Sequence, residues 1–369
     1  MIMCQAAEGQ SLKTGYDSLV NFLKAKDDFN GHILVADKGK IVYQRSLGYA
    51  DIEHKRPLNN NTLFNLASLS KQFTATAIMI LVEQHKLSLD SRLDSCLNEL
   101  SFYKNIRIKD LLTHTSGLPD YEERFAAHWD RSHVAQNQDV IALLARYQPA
   151  VHFAAGENWA YSNTAYVLLA SIIERVSGIS YAEFLKRHIF RPLHMRRSRV
   201  FVTRITHHEL LANSALGYVM DRKTRKAVSQ DAVEDRQYVK YLDGIAGDGG
   251  VYSTAADLLQ WDRALYTTKL ISSHSLSQMF TPVKLNNGNS AGYGFGWGIV
   301  TGDTTTGKCV AHNGSWGGYD THIARFIDRD KTLIVLRNVQ NHNRASGVYE
   351  AYNAILFRQA WQLPTITPP

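Results

Sequence analysis

Between residues 12 and 29 the apolar side chains recur at Leu19, Phe22 and Leu23, a stripe of helical period that stops before Gly31. Two β-branched-rich runs follow, residues 32–36 and 41–47, on either side of Lys38-Gly39-Lys40. That arrangement predicts a β-hairpin closed by a short glycine-containing loop. From residue 68 to about residue 85 the period returns to helical, with Phe73, Ala77, Ile80 and Leu81 on one face and no Gly or Pro to interrupt it. Further helices are predicted at 108–113, 140–147, 164–176 before Gly178, and 181–188.

Residues 254–265 and 272–280 again have helical spacing, and the glycine-punctuated run 293–300 and the runs 318–327 and 332–339 have strand character. Residues 348–362 close the chain as a helix. Strands at both ends with helices between them predict an α+β protein, one antiparallel sheet built from the two ends of the chain. The expected organisation is a single domain over 10–365, with 1–66 and 285–365 forming the α/β part and 67–284 a mostly helical part.

Composition narrows the function classes. A chain of 369 residues that is 44% hydrophobic and 20% charged, with 8 prolines, buries a large core, which excludes disordered and fibrous architectures. The net charge of +7 is scattered, and residues 222–226 are its one dense basic cluster, so no nucleic-acid partner is expected. Cys4, Cys96 and Cys309 are odd in number and lack metal-ligand spacing, which reads as unreactive thiols. His207-His208 lacks an accompanying metal-binding pattern, so no metal is expected. The longest apolar stretches, 75–82 and 166–173, fall short of the ~18 residues of a membrane span. Residues 1–9 contain no Lys or Arg and carry Glu8, which is no intact signal peptide, although Cys4-Gln5-Ala6-Ala7 has the small residues of a cleavage-site remnant.

Three short motifs carry candidate chemistry. Ser68-Leu69-Ser70-Lys71 stands where an apolar segment turns into a helix, and positions three apart share a helix face, so the Lys71 amine can reach the Ser68 hydroxyl. The pair is a nucleophile with its base, or else Ser68 is an ordinary helix cap. Tyr161-Ser162-Asn163 precedes the next helix; residues two apart in extended chain point the same way, so Tyr161 and Asn163 either face one cleft or serve as a core tyrosine and a cap. His312-Asn313-Gly314 lies on an expected strand and leads into Ser315-Trp316-Gly317-Gly318, where glycine lets a substrate backbone approach and Ser315 offers its N–H. Asp120 is a turn residue or a cleft residue, and Trp316 packs on substrate or on the core.

The order Ser-x-x-Lys, Tyr-x-Asn and His-x-Gly, about 90 and 150 residues apart, resembles the penicillin-recognising serine hydrolases. That group includes class C β-lactamases, D-alanyl-D-alanine carboxypeptidases, D-aminopeptidases and related esterases. Residues 111–118 and 249–258 resemble supporting segments of the same group, and the likeness runs from about residue 15 to residue 360. The resemblance implies a β-lactamase/transpeptidase-like fold with Ser68 as acyl-forming nucleophile, Lys71 as its activating neighbour and Tyr161 as proton shuttle. It also implies that Asn163 binds the substrate amide and helps hold Lys71, and that the backbone N–H groups of Ser68 and Ser315 form the oxyanion hole. No metal or other cofactor is implied, the substrate is a small molecule or peptide, and the location is periplasmic or secreted, with a cytoplasmic one as the alternative.

The third motif departs from the Lys-Thr-Gly usual in class C β-lactamases, because His312 stands in place of a permanent cation. His-x-Gly resembles the peptidase and esterase branches, so a peptidase or esterase acting on D-amino-acid peptides or small esters and amides is the leading expectation. A β-lactamase is the alternative, and an idle binding protein for β-lactams or peptidoglycan fragments the rival of another class. Activity on anionic substrates is expected to rise as His312 protonates.

Overall fold

A computed structural model describes residues 11–365, apart from residues 125, 127, 203–210, 222, 223, 225 and 342–345. Residues 4–7, the pair His207-His208 and Arg222, Lys223 and Arg225 of the basic cluster lie outside the described residues.

Helix α1 (Leu12–Ala25) starts at Ser11, whose Oγ accepts the Thr14 N–H, and buries Tyr16, Leu19, Val20 and Leu23. Strands β1 (Gly31–Asp37) and β2 (Lys40–Leu47) form the expected hairpin. Lys38 and Gly39 make its turn with φ of 49° and 72°, the left-handed pair that matches the twist of the strands. The later strands are β3 (Gly298–Thr301), β4 (Lys308–Trp316), β5 (Tyr319–Phe326) and β6 (Lys331–Arg337). The sheet order is β3-β4-β5-β6-β1-β2, antiparallel at every pairing, so β1 joins the C-terminal strands with Gly31 opposite Arg337.

The two-residue period of the strands decides what covers each face. Ile33, Val35, Ala324, Phe326, Leu333 and Val335 pack under α1 and the closing helix α6 (Val348–Leu356). Leu34, Ala36, Ile323, Ile334 and Leu336 face the helical layer. At its centre lies α2 (Lys71–Glu83), which is buried on all sides from Lys71 to Leu81 and packs against α4 (Asn163–Ser177); α3 (Asn137–Tyr147) packs on α4 in turn. Helix α5 (Ala255–Ala264) lies in the span assigned to the helical part, yet it packs on β1 and β6. It is also tied to β5 by a fully buried ion pair, Arg325 Nε to Asp262 Oδ1 at 2.6 Å, with the guanidinium 4.7 Å from the Tyr266 ring centre.

Three boundaries differ from expectation. The strand is Gly298–Thr301 and takes in only the last three residues of the run 293–300, because Gly296 takes φ 76° and lies against the start of α2, where an added Cβ would meet the Lys71 carbonyl at 2.8 Å. The closing helix stops at Leu356 rather than 362, and Arg358 beyond it is left-handed with φ 55°. The helix expected from residue 68 begins as a 3₁₀ turn, Ala67–Ser70. Cys96 and Cys309 are free thiols, and burial pushes both up, Cys309 to about 12, which suits the expectation of unreactive cysteines.

Candidate active site

Ser68 sits in that 3₁₀ turn, where side chains at i and i+3 eclipse one another. The geometry shortens the reach between Ser68 and Lys71, and Lys71 Nζ donates to Ser68 Oγ at 3.0 Å. The turn is held from every side. Ala67 is left-handed with φ 49°, and its N–H donates to Asn65 Oδ1 at 2.8 Å. The short strand Phe64–Asn65 pairs with Val251–Ser253, the Leu66 N–H donates to the Val251 carbonyl, and the Val251 N–H donates to Ser70 Oγ. From the sheet, Thr321 Oγ1 donates to the Leu66 carbonyl at 2.8 Å.

Lys71 is fully buried, and its ammonium has an acceptor for each proton: Ser68 Oγ, Asn163 Oδ1 at 2.8 Å and the Asp248 carbonyl at 2.9 Å. Such a set leaves Nζ one position to occupy. Tyr161 lies over it, with its ring centre 4.8 Å from Nζ. The Tyr161 ring is itself backed at 4.3 Å by His114, which is fully buried and accepts the Ser162 N–H at Nδ1. Burial, reinforced by the charge on Lys71, holds the His114 imidazole well below its usual range, so it is neutral.

Asn163 is not the cap of α4. Ser162 caps it, its Oγ accepting the Ala165 N–H, and this leaves the Asn163 side chain for the site. Its Oδ1 holds Lys71, its Nδ2 donates to Glu122 Oε1 at 3.2 Å, and its N–H donates to Asp120 Oδ2 at 3.0 Å. Ser68, Tyr161, Asn163, His312, Gly314 and Ser315 all line one cleft of about 750 Å³, with Lys71 directly behind Ser68.

The third motif contributes differently from the expectation. His312 is buried, and burial together with the charge on Lys71 pushes its pKa down to about 3. Its Nδ1 lies 2.6 Å from the Asn313 carbonyl, which can only accept, so Nδ1 carries the proton and Nε2 accepts from the Tyr293 hydroxyl at 2.8 Å. Burial thus favours the neutral imidazole and both nitrogens are engaged, which runs against the expected rise in activity through a protonated His312. Gly314 makes room for the protein itself: a Cβ there would meet the Leu66 carbonyl at 2.3 Å, so glycine lets β4 press against the Ser68 turn. The Ser315 hydroxyl accepts from Gln340 Nε2. Trp316 lines the cleft and donates to Asp243 at 3.4 Å.

Several site residues escaped the sequence reading. Asp248 is buried beside Lys71, and its carboxylate accepts the Tyr121 hydroxyl at 2.9 Å. Glu122 lines the cleft, and burial with the neighbouring charges of Asp120 and Asp248 pushes its carboxyl up to about 8. Their signals were two carboxylates within three residues at Asp120-Tyr121-Glu122, and an acid amid glycines at Gly247-Asp248-Gly249-Gly250.

A hydroxyl bonded to a fixed amine at the floor of a cleft, with a phenol over the amine and a strand edge alongside, is equipped for acyl transfer. The profile of the family described as Beta-lactamase matches residues 21–356. Penicillin-binding protein 4* of Bacillus subtilis (strain 168) is 43% identical over 356 residues, which is 96% of this chain and 78% of that protein. The D-aminopeptidase of Brucella canis is 25% identical over 88% of this chain and 59% of its own length. A penicillin-binding protein from Bacillus halodurans superposes with a TM-score of 0.75 at 28% identity, covering 91% of this chain and 98% of that one. With a matched profile across nearly its full length and the same fold in a solved relative, the chain belongs to the beta-lactamase family of serine hydrolases.

Proposed function

We propose that the protein is a penicillin-binding-protein-like peptidase or esterase that acylates Ser68, acting on D-amino-acid peptides or on small esters and amides. The observation that carries this reading is the 3.0 Å contact from Lys71 Nζ to Ser68 Oγ inside the cleft. For attack Lys71 works as the neutral amine: having released one Nζ proton to solvent, it accepts the Ser68 proton as Oγ attacks the substrate carbonyl carbon, and Tyr161 relays a proton from Lys71 to the leaving group. The oxyanion meets the backbone N–H groups of Ser68 and Ser315. Strand β3 pairs with β4 only up to Ala311, so the edge of β4 from His312 to Trp316 has no β3 partner and is available to the substrate. Asn163 spends Oδ1 on Lys71 and one Nδ2 hydrogen on Glu122, which leaves its second Nδ2 hydrogen for a substrate carbonyl. Neutral His312 offers no cation to a β-lactam carboxylate, which favours the peptidase or esterase reading over a β-lactamase. The named relatives, a penicillin-binding protein and a D-aminopeptidase, support peptide chemistry, and a periplasmic or secreted location goes with it.

Time-resolved intact-mass spectrometry after mixing with p-nitrophenyl acetate tests this. An acetyl adduct that forms and decays on the wild type and is missing from Ser68→Ala is the expected result. Equal labelling of Ser68→Ala would sink the assignment of the nucleophile.

A further inference from the structure

Tyr161 is 37% exposed in the cleft, so its phenol stays over Lys71 only if the segment that carries it is fixed from behind. His114 holds that segment at three points. Its carbonyl accepts the Ala160 N–H at 3.0 Å, and its Nδ1 accepts the Ser162 N–H at 3.1 Å. Between these two bonds its ring lies 4.3 Å behind the Tyr161 ring, with the planes 37° apart. One residue thus grips both chain neighbours of Tyr161 and the phenol itself. It does so from a left-handed backbone, φ 61°, which is strained for any residue with a Cβ.

A second cost points the same way. Because Nδ1 accepts, the proton of the neutral ring sits on Nε2, and among the described residues that buried N–H finds no acceptor. The imidazole is packed among the rings of Trp159, Tyr166 and Tyr293, at 6.0, 5.1 and 4.7 Å between centres. Phenylalanine would fill this aromatic pocket without an orphaned donor, and it would serve better if packing were the whole task. What histidine adds is an acceptor at Nδ1 on a flat ring.

We propose that His114 is a positioning residue that holds the Tyr161 hydroxyl between Lys71 and the leaving group, through the bond its Nδ1 accepts from the Ser162 N–H and the ring it sets behind the phenol. The inference rests on the acyl-serine reading and deepens it. His114 is fully buried behind the cleft, so its effect on the reaction is carried by Tyr161. A fixed phenol matters most where the leaving group needs the relayed proton. An alkoxide needs it, whereas p-nitrophenolate departs as a stable anion without it.

The test measures kcat/KM for ethyl acetate and p-nitrophenyl acetate, which share an acyl group and differ only in what leaves. The proteins compared are the wild type, His114→Phe, His114→Asn, Tyr161→Phe, the double variant His114→Phe/Tyr161→Phe, and Ser68→Ala. His114→Phe keeps a ring and loses the acceptor; His114→Asn keeps an acceptor and loses the ring. For ethyl acetate His114→Phe is expected to lose about ten- to a hundredfold, and for p-nitrophenyl acetate less than about threefold. In the Tyr161→Phe background the same substitution should change either rate by less than about twofold. His114→Asn is expected to melt at a lower temperature than His114→Phe yet to hydrolyse ethyl acetate faster, an inversion that a purely structural role does not produce. Equal losses on both esters, or losses that multiply in the double variant, overturn the proposal. Nitrogen-15 NMR of the wild type at pH 7 adds a check that needs no folded His114→Phe. The His114 signal, assigned by its absence from His114→Asn, should show the proton on Nε2, and a proton on Nδ1 overturns the proposal. Turnover that persists in Ser68→Ala overturns the acyl-serine reading instead, an outcome seen without any change at His114.

Discussion

Lys71 illustrates how one side chain serves several tasks at once. Its ammonium ties the 3₁₀ turn, α4 and the loop at Asp248 to a single point, so Lys71→Ala removes both the proton acceptor and the centre of the constellation. We expect kcat to fall by about 10²–10⁴ while the protein remains folded, measured with p-nitrophenyl acetate beside a circular dichroism control. His312 is predicted to be silent in the pH profile: with its pKa pushed to about 3, His312→Gln should leave the shape of log kcat between pH 5.5 and 8 unchanged even where the rate falls. An inflection near 6.5 that disappears in His312→Gln would contradict this. Glu122 works in the other direction. Its folded pKa of about 8 lies above the ordinary 4.5, so the folded state holds a proton that the unfolded chain has released, and stability is lost as pH rises from 4.5 through 8. Glu122→Gln should therefore melt at a higher temperature than the wild type at pH 8.5 and show little difference at pH 4.5.

At the scale of elements, what the sequence makes legible is what depends on period and on local chemistry. The hairpin at Lys38-Gly39, the long helix after Ser68 and the helix after Asn163 are written in neighbouring residues, and so is the approach of Lys71 to Ser68. The three motifs meet in one cleft as the resemblance implies. What stayed hidden depends on packing across the chain. Nothing near Gly314 announces that its missing Cβ is needed by Leu66, nearly 250 residues earlier, and His312 looks like a titrating imidazole until Tyr293 and the surrounding core are in place. The carboxylates of Glu122 and Asp248 come together only through the fold. The strand edge and the nucleophile turn are fitted so closely that Gly314→Ala should destabilise the protein by about 1–3 kcal/mol and depress turnover together, read by denaturant unfolding and ester hydrolysis.

At the scale of the whole molecule, the sheet and the helical layer share a hydrophobic cluster that runs from Leu34 and Leu336 through α2 to α4 and α5. Such continuity predicts one cooperative thermal transition, with calorimetric and van't Hoff enthalpies in agreement; two resolved transitions would show that the layers unfold separately. The buried pair Arg325–Asp262 joins the layers, and Arg325→Met should cost about 1–3 kcal/mol because it leaves Asp262 Oδ1 without a partner in the interior while Arg263 keeps Oδ2.

The pairing of Gly31 with Arg337 has a consequence in time as well as space. A chain emerging from the ribosome presents the Ser68 segment first, but the strands that complete its surroundings, with Gly314 and Thr321, are made about 250 residues later. Until then the first hairpin must wait beside an unfinished sheet, and contacts of such long sequence separation form slowly. The hydrolase is thus synthesised inert, and its reactive serine gains its environment only once those later strands have emerged.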